Sequence, residues 1–221
     1  MSEPGQRTTP RSRPLPVFDP GPSGAFAREA LDAAQVTGVL IGRLAVWSWL
    51  ADEARHRFTK DLDLAIAPAD LPAVCAWLEA RGVQAHDLPM GGVAVRLPVA
   101  DAGGPSVCVD FITRSNPEWG DFGLLMAELI ADAVASGHTV RVGGTTLPVA
   151  SPTYLALSKL VAGRDKDLED LSDLLREAEV DVAALRTKLS TTPTLAVLRS
   201  RFEELLERVG HPLARRDNHA S

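Results

Sequence analysis

The segment RFTKDLD, residues 57–63, leads into the stretch that decides the fold. In it and just beyond it, the apolar residues Leu62 and Leu64 alternate with Asp61 and Asp63. An alternation of period two is typical of a β-strand with one buried face. It therefore predicts that both carboxylates point from the opposite face of one strand, about 7 Å apart.

A third carboxylate, Asp110, lies in the same kind of alternation between Val107 and Ile112, which predicts a later strand that can pair with the first. Three clustered carboxylates repel one another, so the cluster is favourable only when some are protonated or a cation lies between them. Carboxylate oxygens suit Mg²⁺ or Mn²⁺. The pattern therefore predicts a metal site made of Asp61, Asp63 and Asp110.

The sequence VLIGRLA, residues 39–45, favours a buried strand, a tight turn at Gly42 and the start of a helix. Backbone N–H groups at such a turn can cradle a triphosphate. Between this turn and the acidic strand, Arg57 and Thr59 are two residues apart and lead directly into Asp61.

A D-x-D pair alone is weak evidence. The chain holds a second one, Asp165-Lys166-Asp167, in a stretch of helical periodicity where the two carboxylates do not share a face. The region from Lys159 to Asp170 also fits a surface helix laced with ion pairs, because Lys166 and Asp170 are four residues apart.

The folded part is predicted to begin near Ala25, because residues 1–24 hold six of the 16 prolines and read as a disordered tail. Strands mixed with helices over 25–150 and helices alone over 151–210 predict an α/β (α+β) core with a mixed sheet flanked by helices, followed by a C-terminal helical bundle. Residues 211–221 read as a polar tail.

Some elements carry sharper expectations. The spacing predicts a first helix over Phe26–Val36 and a second over Leu44–Ala54. Thr139–Val142 and Thr145–Val149, joined by two glycines, predict a hairpin.

The composition of the chain argues against some classes of function. The 221 residues carry 23 basic and 29 acidic side chains, a formal net charge of −6, which argues against a whole-surface attraction to nucleic acid. Cys75 and Cys108 lack the spacing of a zinc site and are expected to be reduced thiols. No apolar stretch reaches the roughly 18 residues of a membrane span and no secretory signal is visible, so we expect a cytoplasmic protein with no membrane partner.

The strand and Gly turn, the R-x-T-x-D-[IL]-D pattern of residues 57–63 and the single later Asp110 resemble the nucleotidyltransferase fold of the polymerase β type. The blocks SPTYLALSKL, at 151–160, and RDKDLED, at 164–170, are similar to a helix pair of AbiEii-type nucleotidyltransferases, a group that includes toxins of toxin-antitoxin systems. The resemblance spans about 39–175.

This resemblance implies transfer of a nucleoside monophosphate from an NTP to an acceptor hydroxyl, with Mg²⁺ or Mn²⁺ held by Asp61, Asp63 and Asp110. It implies that Asp110 lies beside the attacking hydroxyl, and that Lys159 offers a point charge to the phosphates.

The implied nucleotide-binding set is Gly42, Arg43, Arg57, Thr59 and Lys159. Arg43 departs from the family, whose turn has Gly or Ser at that position. A side chain of this size can contact a phosphate, fold over the site, or mark a protein that binds nucleotide poorly.

Several partners stay open. The acceptor is tRNA, a protein side chain or a small molecule, and a cognate antitoxin is an expected partner of a toxin. The alternatives are an aminoglycoside-type nucleotidyltransferase and a catalytically degenerate module that binds nucleotide or regulates another protein.

Overall fold

A computed structural model describes residues 20–51, 59–98, 107–115 and 122–215. Arg57, one of the predicted nucleotide-binding residues, lies outside these ranges. The strands are β1 (Val39–Ile41), β2 (Leu62–Ala65), β3 (Ala85–Asp87), β4 (Gly92–Leu97), β5 (Val107–Ile112), β6 (Thr139–Val142) and β7 (Thr145–Pro148). The α-helices are α1 (Gly21–Ala34), α2 (Gly42–Trp47), α3 (Leu71–Ala80), α4 (Phe122–Ser136), α5 (Pro152–Ala162), α6 (Asp165–Glu177), α7 (Val182–Thr191), α8 (Pro193–Ala196) and α9 (Arg199–Arg208), and short 3₁₀ turns cover Pro68–Asp70 and Pro212–Arg215.

A mixed five-stranded sheet forms the centre of the protein. Its strand order is β1-β2-β5-β4-β3, in which β2 and β5 run parallel and the other neighbours run antiparallel. The β6–β7 hairpin is a second sheet, and a parallel bridge from Leu40 to Val149 joins it to β1. The expected α+β class with a mixed sheet is confirmed.

Alternation along the two central strands separates a dry face from a polar face. Leu62 and Leu64 of β2 are fully buried, and so are their register partners Val109 and Phe111 of β5. Burying an apolar side chain of this size contributes roughly 1.5 to 3 kcal/mol. The same register turns the intervening carboxylates to the opposite face.

Helices pack around the sheet and then on one another. The first helix, α1, contacts α3, β5 and β7, whereas α2 contacts β1, β2, α5 and α6. In the C-terminal part, α5 packs on α6 and α7, and α7 on α8 and α9, with the fully buried Phe202 in the core. Because α5 and α6 also touch α2, the division of the chain at residue 150 stays a prediction.

The first helix begins earlier than the spacing predicts. It starts at Gly21 and ends at Ala34, so residues 21–24 belong to the helix and not to the proposed tail. Small residues allow this: a Cβ on Gly24 would lie 3.0 Å from the carbonyl oxygen of Val142. The close approach of α1 to β6 is a tertiary feature, which local periodicity does not report.

Two other expectations change. The helix expected over 44–54 starts at Gly42 and ends at Trp47, and part of that range lies outside the described residues. Of the proposed polar tail, Pro212–Arg215 forms a 3₁₀ turn, and the carbonyl oxygen of Leu213 accepts a hydrogen bond from Arg186 at 3.1 Å. The hairpin and the strand at Val107–Ile112 are confirmed. Within the described ranges, no helix has both the length and the apolar character needed to cross a membrane.

A single hydrogen bond tests the position of residues 21–24. The fully buried Ser23 hydroxyl accepts a hydrogen bond from the backbone N–H of Cys108 at 3.0 Å, one residue before the β2–β5 ladder begins. Ser23→Ala leaves that N–H without this acceptor, so we expect a loss of about 1 to 3 kcal/mol in the free energy of unfolding, measured by urea denaturation.

Ser136→Ala is the matched control, because this exposed hydroxyl bonds only locally to the carbonyl of Ala133. We expect it to change stability by less than about 0.5 kcal/mol. Equal, negligible effects of the two substitutions would contradict the placement of α1.

Candidate active site

Two aspartates lie side by side at the centre of the sheet. Asp63 of β2 is the direct register partner of Asp110 of β5. Asp61 precedes Asp63 by two residues, and its carboxylate accepts a hydrogen bond from the Thr59 hydroxyl at 3.1 Å. The predicted pairing of the two acidic strands is confirmed, and it concentrates negative charge on one face.

This concentration of charge perturbs Asp63. Burial, followed by the negative charges of Asp61 and Asp110, raises the pKa of the Asp63 carboxyl from 3.8 to about 7, and the charges of Lys159 and Lys166 oppose the rise. A carboxyl of this kind holds a proton near neutral pH until a cation approaches. Perturbed carboxyls in clefts mark candidate functional sites.

Gly42 makes room for this carboxylate. Its backbone has a φ of +71°, and a Cβ at that position would lie 1.9 Å from the Asp63 Oδ2. A glycine is therefore required at this position for two reasons: the backbone conformation is left-handed, and there is no room for a Cβ beside the carboxylate. The structure places Gly42 directly against the acidic cluster.

Arg43, the departure from the family turn, reaches towards helix α6. Its Nε lies 3.3 Å from Asp170 Oδ1 and donates to Oδ2 at 3.4 Å, while Nη2 donates to the carbonyl oxygen of Lys166 at 3.4 Å. These contacts connect the guanidinium to α6, beside the acidic cluster.

Lys159 is buried between two carboxylates. Its ammonium donates to Asp170 at 2.8 Å and to Asp167 at 3.3 Å, and only 7% of the residue is exposed. Arg164 donates to Asp167 at 2.6 Å. Burial alone raises the pKa of Asp167, but the bonds and charges of Arg164 and Lys159 outweigh burial and lower it.

Two cavities meet at the acidic cluster. The first, of about 260 Å³, is mainly ionic: Asp61, Asp63, Asp167 and Asp170 face Arg43, Lys60, Lys159, Arg164 and Lys166. The second, of about 410 Å³, shares Asp61, Asp63, Asp167, Lys159, Arg164 and Lys166 with the first and adds Asp110, Arg114, Ser158 and the apolar side chains of Ile41, Met90 and Ile112. The cluster therefore lies where an ionic cavity meets a larger, partly apolar one.

Arg114 lines the second cavity from an unusual backbone. It has a φ of +49°, a conformation that costs a non-glycine residue roughly 1 kcal/mol or more, and it is 7% exposed. Its Nη2 donates to the hydroxyl of Ser158 at 3.3 Å. Burial lowers the pKa of its guanidinium, which still stays charged.

The carboxylates are the type of ligand that binds a divalent cation. Asp110 Oδ1 is buried, and Arg96 Nη1 forms an ion pair with it at 2.5 Å. The same Nη1 also donates hydrogen bonds to the carbonyl oxygens of Val95 and Val109. A buried carboxylate oxygen next to Asp63 is the kind of ligand that a divalent cation takes, but in this structure Arg96 already pairs with it.

The ligands are not yet gathered around one point. Within the described residues, no group of three or more His, Cys, Asp or Glu side chains is arranged to hold a metal ion. The expected set of Asp61, Asp63 and Asp110 is therefore adjacent in the sheet but is not a preformed three-ligand site. A cation that binds all three has to draw Asp110 away from Arg96.

Comparison with known proteins does not assign a family to this chain. The sequence matches no protein-family model and no curated protein. Among solved structures, an antigenic nucleotidyltransferase-like protein from Paracoccidioides brasiliensis matches with a TM-score of 0.47 and 17% identity, over 85% of this chain and 95% of that one. The antibiotic-resistance factor ANT(2'')-Ia matches with a TM-score of 0.42 and 15% identity, over 83% and 93%. At these levels neither protein assigns an activity to this chain.

Sequence reasoning missed the acidic face of α6. The alternative of a surface helix from Lys159 to Asp170 is wrong for Asp167 and Asp170, which are 1% and 3% exposed. Their spacing of three residues, continued by the apolar Leu171 and Leu174, is the available signal that they share the buried face. No comparable pattern in the sequence indicated the roles of Arg96 and Arg114.

The contact at Gly42 gives a prediction about stability. Gly42→Ala places a Cβ on the Asp63 carboxylate and strains the backbone, so we expect a loss of about 3 kcal/mol or more in the free energy of unfolding. Gly82→Ala is the matched control, because Gly82 has a similar φ of +65° but nothing within 4 Å of its Cβ position. It should lose only about 1 kcal/mol. Equal losses in urea denaturation would count against the contact.

The raised pKa of Asp63 gives a prediction about pH. Below about pH 4 this carboxyl is protonated in both the folded and unfolded states and contributes no penalty. As the pH rises from about 4 to 7, the unfolded chain ionises first, so the stabilisation associated with the protonated Asp63 is lost. We therefore expect Asp63→Asn, in buffer with EDTA, to be more stable than the wild type by roughly 2 to 4 kcal/mol at pH 8, and the gap to shrink towards pH 4.

The control for this experiment is Asp87→Asn, which removes one exposed carboxylate on the edge strand β3, away from the cluster. Chemical denaturation at several pH values supplies the measurement. A gap between Asp63→Asn and the wild type that stays constant from pH 4 to pH 8 would refute the coupling.

Proposed function

We propose that this chain is a metal-dependent nucleotidyltransferase that moves a nucleoside monophosphate from an NTP to an acceptor hydroxyl. The observation that carries the proposal is the pairing of Asp63 with Asp110, with Asp61 two residues away, at the junction of an ionic cavity and a larger, partly apolar one. Two substrates that react with each other need two compartments that share the reacting groups.

The first cavity suits a triphosphate. Arg43 and Lys60 line this cavity alone, whereas Lys159, Arg164 and Lys166 line both cavities. The ammonium of Lys159 has three donors, of which two are directed at Asp167 and Asp170, so a third can reach a phosphate oxygen. These two carboxylates also hold the ammonium in place before the substrate arrives.

The second cavity suits the acceptor, because Asp110 lines it and does not line the first. In the proposed reaction the acceptor oxygen attacks the α-phosphorus and forms a new P–O bond. The bond from that phosphorus to the bridging oxygen breaks, and pyrophosphate leaves. Asp110 takes the proton of the attacking hydroxyl.

Asp61, Asp63 and Asp110 are the residues that would hold Mg²⁺ or Mn²⁺. When bound, such a cation neutralises charge on the phosphates and orients them. The chain's own contribution is to keep the carboxylates adjacent, which Gly42 permits by its lack of a side chain. The raised pKa of Asp63 also means that metal binding releases a proton near neutral pH.

The acceptor is proposed to be RNA, with tRNA as the first candidate, and a toxin role with a cognate antitoxin remains part of this proposal. It rests on the resemblance of residues 57–63 and 151–170 to AbiEii-type proteins. A cytoplasmic location is likewise proposed. A degenerate binding module is the competing function, and it requires metal and NTP to bind without transfer.

Label transfer tests the activity. We expect labelled RNA when the protein is incubated with Mn²⁺ or Mg²⁺, total tRNA and each α-labelled NTP in turn. Asp63→Ala should lower the rate by a factor on the order of 1,000, because the phosphate charges lose their counterion. Asp165→Ala is the matched control: it belongs to the second D-x-D pair but is exposed and lines neither cavity.

A second readout does not depend on the acceptor. Mn²⁺ should raise the melting temperature of the wild type and of Asp165→Ala, but not that of Asp63→Ala. Label transfer by Asp63→Ala at the wild-type rate would contradict the site. Metal and NTP binding with no transfer to any RNA or small molecule would favour the binding module.

A further inference from the structure

One wall of the second cavity comes from the end of β5. Asp110, Ile112 and Arg114, each two residues from the next, all line this cavity and do not line the first. The wall therefore presents a carboxylate beside the acidic cluster, then an apolar side chain, then a guanidinium. A ligand along this wall meets three different chemistries in order.

The guanidinium lies deep in the cavity. Arg114 and Ser158 are 7% and 8% exposed, yet both line it, and the Arg114 Nη2 donates to the Ser158 hydroxyl at 3.3 Å. A guanidinium has five N–H donors in a planar fork, so it can hold protein partners and an anionic ligand together. Helix α5 thus supplies Ser158 to the second cavity and Lys159 to both cavities.

The backbone supports a ligand role for this residue. Arg114 keeps a left-handed φ of +49°, a conformation that proteins retain where the surroundings impose it, often at functional sites. The side chain that this backbone carries lines the same cavity as Asp110.

We infer that Arg114, with Ser158, forms an anion subsite that binds a phosphate carried by the acceptor, near the hydroxyl that is modified. The inference rests on the proposed function for the meaning of "acceptor". Arg114 is then a specificity-determining residue: it selects hydroxyl compounds that carry a phosphate. A cavity of about 410 Å³ with apolar side chains suits a terminal nucleotide as well as a small phosphorylated molecule.

Binding to the whole chain tests the subsite without catalysis. The probes are the dinucleotide CpA, whose phosphate is next to its terminal nucleoside, adenosine without phosphate, and glycerol 3-phosphate. Isothermal titration should show that the wild type binds CpA roughly 10- to 100-fold more tightly than adenosine, the gain from charge-assisted hydrogen bonds. Tight CpA binding with weak glycerol 3-phosphate binding assigns the phosphate to an RNA end, and the reverse assigns it to a small molecule.

Two variants locate the effect. Arg114→Gln should bring CpA down to the affinity of adenosine, and Arg114→Lys should keep part of the gain because it keeps the charge without the fork. Arg141→Gln is the matched control, since Arg141 is exposed on β6 and lines neither cavity. If Arg114→Gln does not fold, Arg114→Lys and the wild-type comparison of CpA with adenosine still decide the question.

Failure of the subsite and failure of the proposed function give different results. Equal wild-type affinity for CpA and adenosine, or CpA binding unchanged in Arg114→Gln, overturns the subsite. With label transfer as the readout, Arg114→Gln should raise the KM for a phosphate-bearing acceptor roughly 10- to 100-fold and leave the KM for the NTP within about 3-fold. An equal rise in both overturns the assignment to the acceptor. Absence of transfer together with binding that depends on Arg114 overturns the proposed function but leaves the subsite.

Discussion

Electrostatic repulsion between Asp63 and Asp110 is the constraint around which this structure is organised. The parallel pairing of β2 and β5 fixes the two carboxylates next to each other. Fully buried apolar side chains on the opposite face, Leu62 and Leu64 of β2 and Val109 and Phe111 of β5, oppose a slip of either strand by one residue. The repulsion is therefore imposed by packing of the core. The raised pKa of Asp63, which keeps a proton on that carboxyl, and the ion pair of Arg96 with Asp110 both reduce it.

Helix α6 pairs with the basic side chains beside the cluster. Asp170 pairs with Lys159 and Arg43, and Asp167 pairs with Lys159 and Arg164. The carboxylates of the sheet and those of α6 are thus close to the same basic side chains. In such an arrangement a further anion or cation changes the balance strongly, because charges in a partly buried site are poorly screened.

The sequence predicts most of the sheet and the acidic cluster, because both depend on the period of alternation in short segments such as Leu62–Ala65 and Val107–Ile112. It does not predict the features that depend on which residues, distant in the sequence, come close together in the fold. The start of α1 needs the small residues that allow contact with β6, and the burial of Asp167 and Asp170 needs Lys159 from another helix. The sequence shows that Arg43 departs from the family turn, but only the structure shows that its side chain lines the first cavity. Arg57 lies outside the described residues.

The bridge between Leu40 and Val149 has a consequence for the behaviour of the protein at high concentration. It covers the outer side of β1, where the backbone N–H of Ala150 also donates to the Leu40 carbonyl at 3.1 Å. The opposite edge is β3, which has three residues and exposes His86 and Asp87. Long apolar edges are templates on which strands of other molecules can add. The five-stranded sheet offers little of such a template, so the fold resists aggregation by strand addition.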